Sequence, residues 1–348
     1  MTDTASPDLQ PPTSDLQKYF ARFIPAIETE MRRSVAASDD PTLTLFYGML
    51  HYHLGWVDTD LKPAHFDAGK RIRPVLTLLC CEASGGEWRR ALPAAAAVEL
   101  LHNFSLIHDD IEDNDPVRRG RPTLWKVWGV PQAINAGDAL YTMAHTTLNG
   151  LVEYHVPAER VLAARRRFDR ACITLTQGQH LDLGFESRTS VTEAEYVRMI
   201  SGKTAALIEA ACGLGALIGN HEFAAQYEAF GRGLGLAFQI QDDLLGIWGD
   251  PQVTGKPAGN DLRHHKKSLP VAYGLDRSAE FRRLYTQAEV DVTAARAELD
   301  RVGAREYAGQ LAAQHHQQAW QALTATGQQN TAMEALRELA TQLLKRSA

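Results

Sequence analysis

Four carboxylates end an otherwise apolar stretch of the sequence, LLHNFSLIHDDIED at 100–113. On a helix, Asp109 and Asp113 would share one face, and His102 would lie on nearly the same face two turns earlier. Like charges at this spacing repel by roughly a few tenths of a kcal/mol, and magnesium prefers such oxygen ligands. The pattern therefore predicts a magnesium site, although a helix end that turns into solvent would give a similar pattern.

A second apolar stretch, FQIQDDLLGIW at 238–248, repeats the arrangement with Gln239, Asp242 and Asp243. A buried carboxylate costs free energy unless a partner compensates its charge. Two helices with such residues in separate parts of the chain are therefore expected to face each other around metal.

Basic residues accompany both segments. A metal-bound diphosphate still carries negative charge, so it would need Lys and Arg donors. Lys203 and Thr204 follow Gly202 within an apolar stretch, which favours a functional role over a solvated surface, whereas each of the other groups is also typical of a solvated charged surface. The candidate donors are Lys70, Arg71, Arg73, Arg118, Arg119, Arg121, Lys203, Lys256, Lys266 and Lys267.

Helices are predicted to position all of these residues. Apolar residues recur every three or four positions from about Leu16 onward, and alternating β-branched runs with Asn-Gly or Asp-Gly turns are missing. We therefore expect an all-α fold, a single helical domain over 15–348 with bundle-like packing, after a disordered tail at 1–14 that is rich in Pro, Ser and Thr. The predicted helices include 91–113, 161–184, 193–219, 224–248 and a final pair from about 278 to 346.

The composition excludes several other classes of protein. A net charge of −6 and a pI near 6.1 give no basic field for nucleic acid. The four cysteines lack CxxC spacing, which favours reduced thiols in a cytoplasmic protein. No signal-like N-terminus or uninterrupted apolar run of about 18–20 residues is present, so we expect neither secretion nor a membrane span.

Several motifs occur in one order along the chain: GKRIRP, LLHNFSLIHDDIED with RRGRPT, GQHLDL, KTAAL, and FQIQDDLLGIWGD with TGKPAGND and KKS. Over roughly residues 65–275 the chain thereby resembles the trans-polyprenyl diphosphate synthases of the isoprenoid synthase type I group, closest to geranylgeranyl diphosphate synthases. The resemblance implies an antiparallel helix bundle around a central cavity, with one aspartate motif on each side of its mouth.

The resemblance also implies a role for each site residue. Magnesium would be held by Asp109, Asp113 and Asp242, with Asp110 and Asp243 in support, and these five would be catalytic together with Lys203. The isopentenyl diphosphate site would comprise Lys70, Arg73, His102 and Arg119. The allylic diphosphate site would comprise Arg118, Lys203, Gln239, Lys256 and Lys266, with Thr204 beside the reacting carbons and Gln179 and Asp182 near the reaction centre.

One departure from the family pattern affects the second motif. Many members carry a third aspartate where this chain has Gly246, and Asp250 lies eight residues beyond Asp242. The ligand set of the second site therefore stays open, with Asp242 as its one assigned ligand.

The predicted function is a magnesium-dependent prenyltransferase that condenses isopentenyl diphosphate with an allylic diphosphate, as a cytoplasmic homodimer. Phe104, five residues before Asp109 in a motif without insertion, is placed to stop chain growth unless it is simply a core residue. The resemblance implies that an aromatic residue at this position gives geranylgeranyl diphosphate as product. The alternatives are a farnesyl or longer-chain synthase, a class I terpene cyclase, which Lys70, Arg73 and His102 disfavour, and a noncatalytic synthase subunit.

Overall fold

The structure is a computed structural model that describes residues 15–251 and 258–344, and α-helices account for most of them. The predicted all-α fold is confirmed. The predicted tail at 1–14 lies outside the described residues. In the first half of the chain the helices are α1 (Asp15–Ser34), α2 (Thr44–His53), α3 (Ile72–Ala83), α4 (Leu92–Glu112), α5 (Leu124–Trp128), α6 (Val130–Asn149) and α7 (Ala158–Glu186).

The second half continues in the same way with shorter helices near its end. The helices are α8 (Glu193–Ile200), α9 (Ala206–Gly219), α10 (Ala224–Trp248), α11 (Asn260–Arg263), α12 (Leu269–Arg277), α13 (Ala279–Tyr285), α14 (Val292–Arg301), α15 (Ala304–Thr324) and α16 (Thr331–Leu344). Short 3₁₀ turns lie at Pro41–Leu43, Trp88–Ala91, Gly150–Val152 and His221–Phe223.

The helices that bear the two aspartate motifs, α4 and α10, are largely buried along their apolar parts. Pro93 lies in the first turn of α4, where its missing N–H costs nothing. The run Ala94–Ala97 is fully buried, and these small side chains let α4 pack closely against α3 and α6. Along its length α10 packs against α9 and α15. The aspartate motifs lie in the C-terminal halves of α4 and α10.

A π-helical segment, Ser201–Ala205, joins α8 to α9 and contains Lys203 and Thr204. The segment follows α8, which begins with a capping box. In this box the Thr192 hydroxyl accepts a hydrogen bond from the backbone N–H of Glu195, and the Glu195 carboxylate accepts one from the backbone N–H of Thr192. A Cβ atom added to Gly178 of α7 would lie 2.0 Å from the backbone nitrogen of Lys203. Glycine at this position therefore lets α7 pack directly on the π-helical segment.

A short hairpin follows α4 and forms the one two-stranded sheet among the described residues. Its strands β1 (Val117–Arg118) and β2 (Arg121–Pro122) pair antiparallel, with Arg118 opposite Arg121. The two turn residues, Arg119 and Gly120, both have positive φ, at 51° and 72°. A turn of this kind fits the twist of a two-residue hairpin. The hairpin thus places adjacent arginines beside the end of α4.

The C-terminal prediction of one helix pair over 278–346 was wrong, because four helices, α13–α16, occupy this region of the described chain. The side chains of Ser278 and Asp291 accept hydrogen bonds from backbone N–H groups three residues later, which begins α13 and α14. Gly303 and Gly327 have φ of 77° and 65°, a left-handed conformation that interrupts a helix. Each break therefore has a local cause.

The most apolar helical stretch, Glu193–Gly219, is long and apolar enough to cross a membrane, but 83% of its most apolar window is buried inside the fold. It is therefore a core helix. All four cysteines lie among the described residues, and each is a buried free thiol.

Candidate active site

The first carboxylate pair, Asp109 and Asp113, lies at the C-terminal end of α4, where Asp113 is the C-cap residue. The backbone N–H of Asp113 bonds the carbonyl of Asp109 at 2.8 Å, which ends the helix with both side chains on one face. Burial raises the pKa of Asp109, and it raises the pKa of Asp113 to about 6, against the opposing effect of Lys203. The pair therefore holds negative charge that a cation would stabilise.

Asp110 lies on another face of α4 and is 1% exposed. Its Oδ1 accepts a hydrogen bond from Arg118 Nε at 2.5 Å, while its Oδ2 has no hydrogen-bond partner within residues 15–251 and 258–344. Burial raises its pKa to about 6 in spite of the Arg118 guanidinium. Asp110 thus anchors Arg118 on the hairpin beside the first carboxylate pair.

Of the two aspartates in the second motif, one is exposed and the other is buried. Asp242 is exposed on α10, whereas Asp243 is fully buried. The carboxylate of Asp243 accepts hydrogen bonds from Tyr196 Oη, from the backbone N–H of Leu269 at 3.1 Å and from Gln239 Nε2 at 3.1 Å. Asp242 is therefore the member of the pair that is available to a ligand.

Gly246, the position that departs from the family pattern, lies directly beneath another carboxylate. A Cβ atom added to Gly246 would lie 2.2 Å from Asp261 Oδ2, and the same oxygen lies 3.8 Å from Lys266 Nζ. Burial lowers the pKa of Lys266, but Asp261, Asp243 and Asp242 outweigh burial and raise it. Sequence reasoning missed Asp261, whose only signal was its place in the quoted motif TGKPAGND.

Asp182 on α7 connects the two carboxylate clusters. Its Oδ2 accepts a hydrogen bond from Lys203 Nζ at 2.6 Å, and Lys203 Nζ lies 4.0 Å from Asp109 Oδ1. Asp182 also raises the pKa of Lys266 at the second cluster. On the same helix, Gln179 Nε2 donates to Glu112 Oε2 at 2.6 Å. The residues singled out on α4, α7 and α10 therefore converge on one space.

A cavity of about 320 Å³ is lined by Lys70, Arg73, His102 and Arg119. Arg73 Nη1 lies 3.2 Å from His102 Nε2. Burial lowers the pKa of His102 well below its ordinary value, and Arg73 and Arg119 add to the effect. A neutral His102 can accept a hydrogen bond from Arg73, so both arginines keep their charge available to an anion.

The first arginine of GKRIRP, Arg71, has a different role. Arg71 is 5% exposed and forms ion pairs of 2.7 Å with both Glu28 and Glu99. It fixes the loop before α3 to α1 and α4. Arg73 Nε, by contrast, is buried and has no hydrogen-bond partner within the described part of the chain. This unsatisfied donor lies at the cavity just described, where it is expected to meet a ligand.

Phe104 forms part of an aromatic wall below the first carboxylate pair. Its ring centroid lies 4.9 Å from that of His108 and 5.1 Å from that of Tyr141. Tyr141 in turn contacts His145 at 4.7 Å, and His145 contacts the buried Phe168 at 5.1 Å. Phe104 itself is only half-buried. The wall was not foreseen beyond Phe104, because Tyr141 and His145 come from α6 and Phe168 comes from α7.

The donor set fits magnesium when a substrate supplies part of the coordination. In the part of the chain that the structure describes, no group of three or more His, Cys, Asp or Glu residues could hold a metal by itself. Magnesium usually binds one or two carboxylates and completes its shell with water and substrate phosphate oxygens. Asp109 with Asp113, and Asp242 across the site, offer this kind of partial set.

Two other residues were named from the sequence. Lys256 lies outside the described residues, and Asp250 lies in an exposed position just after α10. A larger cavity, about 510 Å³, lies between α7, α9 and α10 and has arginines in its wall, but none of the predicted site residues line it.

Comparison with known proteins gives consistent matches. The sequence profile described as polyprenyl synthetase matches residues 58–302. A geranylgeranyl diphosphate synthase from Mycobacterium tuberculosis is 46% identical over 252 residues, which cover 72% of this chain and 70% of that protein. A (2E,6E)-farnesyl diphosphate synthase from the same species is 42% identical over 271 residues, 76% of this chain and 73% of that protein.

Solved structures agree with these matches. The crystal structure of a polyprenyl synthetase from Streptomyces coelicolor has a TM-score of 0.86 at 35% identity, and the match covers 94% of this chain and 99% of that one. A geranylgeranyl pyrophosphate synthase from Corynebacterium glutamicum, crystallised with isoprenyl diphosphate and magnesium, has a TM-score of 0.76 at 26% identity and covers 95% and 98%.

Proposed function

The chain belongs to the polyprenyl synthetase family, and we propose that it condenses isopentenyl diphosphate with an allylic diphosphate to give geranylgeranyl diphosphate. It is a polyprenyl diphosphate synthase, a prenyltransferase of the short-chain class. The relatives divide between geranylgeranyl and farnesyl diphosphate synthases, so the choice between these products rests on this chain's own residues. The observation that carries the proposal is the convergence of two carboxylate clusters and a basic cavity on one space.

The family uses a divalent metal, and we assign its binding to Asp109 and Asp113 on one side and Asp242 on the other. Bound magnesium supplies Lewis-acid stabilisation of the departing diphosphate. The raised pKa values of Asp109 and Asp113 support the assignment, because both reflect negative charge that the protein alone leaves poorly compensated. Among the described residues, Lys203 is the cation that pairs with both Asp182 and Asp109.

The cavity of Arg73, Arg119, Lys70 and His102 would bind the diphosphate of isopentenyl diphosphate. Arginine guanidinium groups bind phosphate oxygens through two parallel hydrogen bonds, and Arg73 Nε is an unused buried donor. The neutral His102 holds the Arg73 guanidinium in place from behind. These residues orient the homoallylic double bond toward the allylic substrate.

Lys203, Gln239, Lys266 and Arg118 would bind the allylic diphosphate. As its C–O bond breaks, the electron pair leaves with pyrophosphate, and the basic groups stabilise this charge. The double bond of isopentenyl diphosphate then forms the new C–C bond to the allylic carbon, and pyrophosphate accepts the proton that is lost. Thr204, beside Lys203, lies next to the reacting carbons. Positioning and the exclusion of water account for most of the rate.

The half-buried ring of Phe104 would end the elongation cavity. The growing prenyl chain extends away from the carboxylates along α4, and it meets Phe104 about 7.5 Å beyond Asp109, at 1.5 Å per residue. His108 and Tyr141 flank this ring and keep it in place. A single bulky residue in an uninserted motif favours the geranylgeranyl product over the farnesyl product.

Product analysis tests the proposal. The protein would be incubated with labelled isopentenyl diphosphate and magnesium, with each allylic primer in turn, and the products separated by chain length. We expect geranylgeranyl diphosphate as the main product. Farnesyl diphosphate as the end product would contradict the chain-length assignment, and no product from any primer would contradict the condensation itself.

We also propose a homodimer that works in the cytoplasm. Apolar side chains are exposed on neighbouring helices, Val130 and Ile134 on α6 and Leu162 and Ile173 on α7, and the last is 59% exposed. Such side chains are typical of a surface that a second copy covers. The buried free thiols fit a reducing compartment. A monomer in light scattering would contradict the dimer.

A further inference from the structure

A chain of hydrogen bonds runs from the protein core to the active site. It starts at Tyr196 on α8, which is 1% exposed and whose hydroxyl donates to Asp243 Oδ2. Asp243 Oδ1 accepts from Gln239 Nε2 at 3.1 Å, and Gln239 Oε1 accepts from Thr204 Oγ1 at 2.7 Å. The first two members are buried, whereas Gln239 and Thr204 are partly exposed at the site.

The direction of this chain is fixed at its buried end. The carboxylate of Asp243 accepts from Tyr196 at one oxygen and from the amide nitrogen of Gln239 at the other, so that nitrogen faces Asp243. The amide oxygen of Gln239 must then face the other way, toward Thr204. A threonine hydroxyl has one proton and two lone pairs, and here the proton is committed to Gln239. The two lone pairs of Thr204 Oγ1 therefore point away from Gln239.

This arrangement matters where positive charge develops. Thr204 follows Lys203 in the π-helical segment, and Lys203 Nζ lies between Asp182 and Asp109. A hydroxyl oxygen whose lone pairs are oriented in advance stabilises a nearby cation without further reorganisation. If Gln239 were reversed, Thr204 would present its proton instead, and the same dipole would oppose the cation.

We propose that Tyr196 is a positioning residue: through Asp243 and Gln239 it orients the Thr204 hydroxyl so that its oxygen faces the allylic cation. The inference rests on the proposed function, because it gives Thr204 a place beside the reacting carbons. Tyr196 does this by holding Asp243 Oδ2, to which, among the residues described, the N–H of Leu269 is the remaining donor. Without Tyr196 the carboxylate is free to turn, and the amide of Gln239 loses its fixed acceptor.

The test is a double-mutant cycle between Tyr196→Phe and Thr204→Val, both of which keep the shape of the side chain and remove its hydroxyl. Tyr227→Phe is the matched control. Tyr227 lies on α10, is fully buried, and its hydroxyl has no hydrogen-bond partner within the described residues. For each variant kcat, the KM for isopentenyl diphosphate and the melting temperature would be measured in the presence of magnesium.

Tyr196→Phe should lower kcat on the order of tenfold or more, as is typical when a residue that orients an active group is removed. The KM for isopentenyl diphosphate should stay within about twofold of wild type, and Tyr227→Phe should leave kcat unchanged. The decisive expectation is the double variant, which should be no slower than Thr204→Val alone, because Tyr196 acts through Thr204.

Several results would overturn the inference. Losses that multiply in the double variant would mean that Tyr196 acts independently of Thr204. An unchanged kcat in Tyr196→Phe, or a variant that fails to fold, would assign the tyrosine a purely structural role. The outcome is separate from that of the proposed function, because wild-type product formation tests the condensation and its chain length, whereas the cycle compares rates among variants.

Discussion

Truncating Phe104 to alanine should lengthen the product while the enzyme keeps its turnover. In the structure, the Phe104 ring contacts His108 and Tyr141 and is only partly buried against the core. A ring that ends a cavity can be removed without disturbing the helix that carries it, because α4 is held by its buried alanines and by its packing against α3 and α6.

The magnitude follows from the size and burial of the side chain. The ring that is removed has about as many carbon atoms as one isoprene unit, so the product should grow by at least one unit. A fully buried phenylalanine costs about 3–5 kcal/mol when it is replaced by alanine. Phe104 is only half-buried, so its loss should be at or below the lower end of that range. Phe230→Ala on α10, where the ring is fully buried, should reach the full cost.

The assay combines product chromatography with urea unfolding of Phe104→Ala, Phe230→Ala and wild type. We expect longer products only from Phe104→Ala and the larger loss of unfolding free energy only from Phe230→Ala. An unchanged product length together with a loss of about 3–5 kcal/mol in Phe104→Ala would refute the reasoning, because the ring would then belong to the core.

Three further predictions follow from the contacts. Arg73→Ala should raise the KM for isopentenyl diphosphate by about 10- to 100-fold, since a hydrogen bond to a charged group contributes roughly 1.5–3 kcal/mol. Lys203→Ala should instead mainly raise the KM for the allylic substrate. Equal effects of each variant on both substrates in steady-state kinetics would argue against two separate sites. Gly246→Asp should cost about 1–3 kcal/mol of unfolding free energy through overpacking against Asp261, and Asp261→Gly in the same chain should restore it in urea titrations. Arg71→Ala should cost about 3–5 kcal/mol, because it leaves two carboxylates unpaired; a melting temperature close to that of wild type would contradict this.

The long central helices could be predicted from the sequence because each has a strong local pattern. The predicted helix at 224–248 matches α10, and that at 91–113 differs from α4 by one residue at each end. Both have a long apolar periodicity and a defined beginning or end. The C-terminal helices were misjudged because side-chain caps at Ser278 and Asp291 interrupt a sequence whose periodicity continues through them.

The sequence likewise predicted some residues of the site and missed others. The motif residues were identified because they are charged groups in apolar surroundings, a local signal. The carboxylate of Asp261 over Gly246, the aromatic wall beside Phe104 and the bond from Tyr196 to Asp243 all join residues from different helices. No local pattern predicts such pairs. The π-helical segment was also read as ordinary helix, because its composition is that of the apolar helices on either side.

The dependence of product formation on magnesium tests the central claim most directly, because Asp109, Asp113 and Asp242 are assigned to hold the metal against the departing diphosphate. Product formation by the wild-type protein would be measured in excess chelator and again as magnesium is restored, with Asp109→Ala as the matched variant and circular dichroism as the check on folding. We expect turnover to fall to background in chelator and to return with magnesium, and Asp109→Ala to stay slower by orders of magnitude with its helices intact. Turnover that persists in excess chelator would contradict the account.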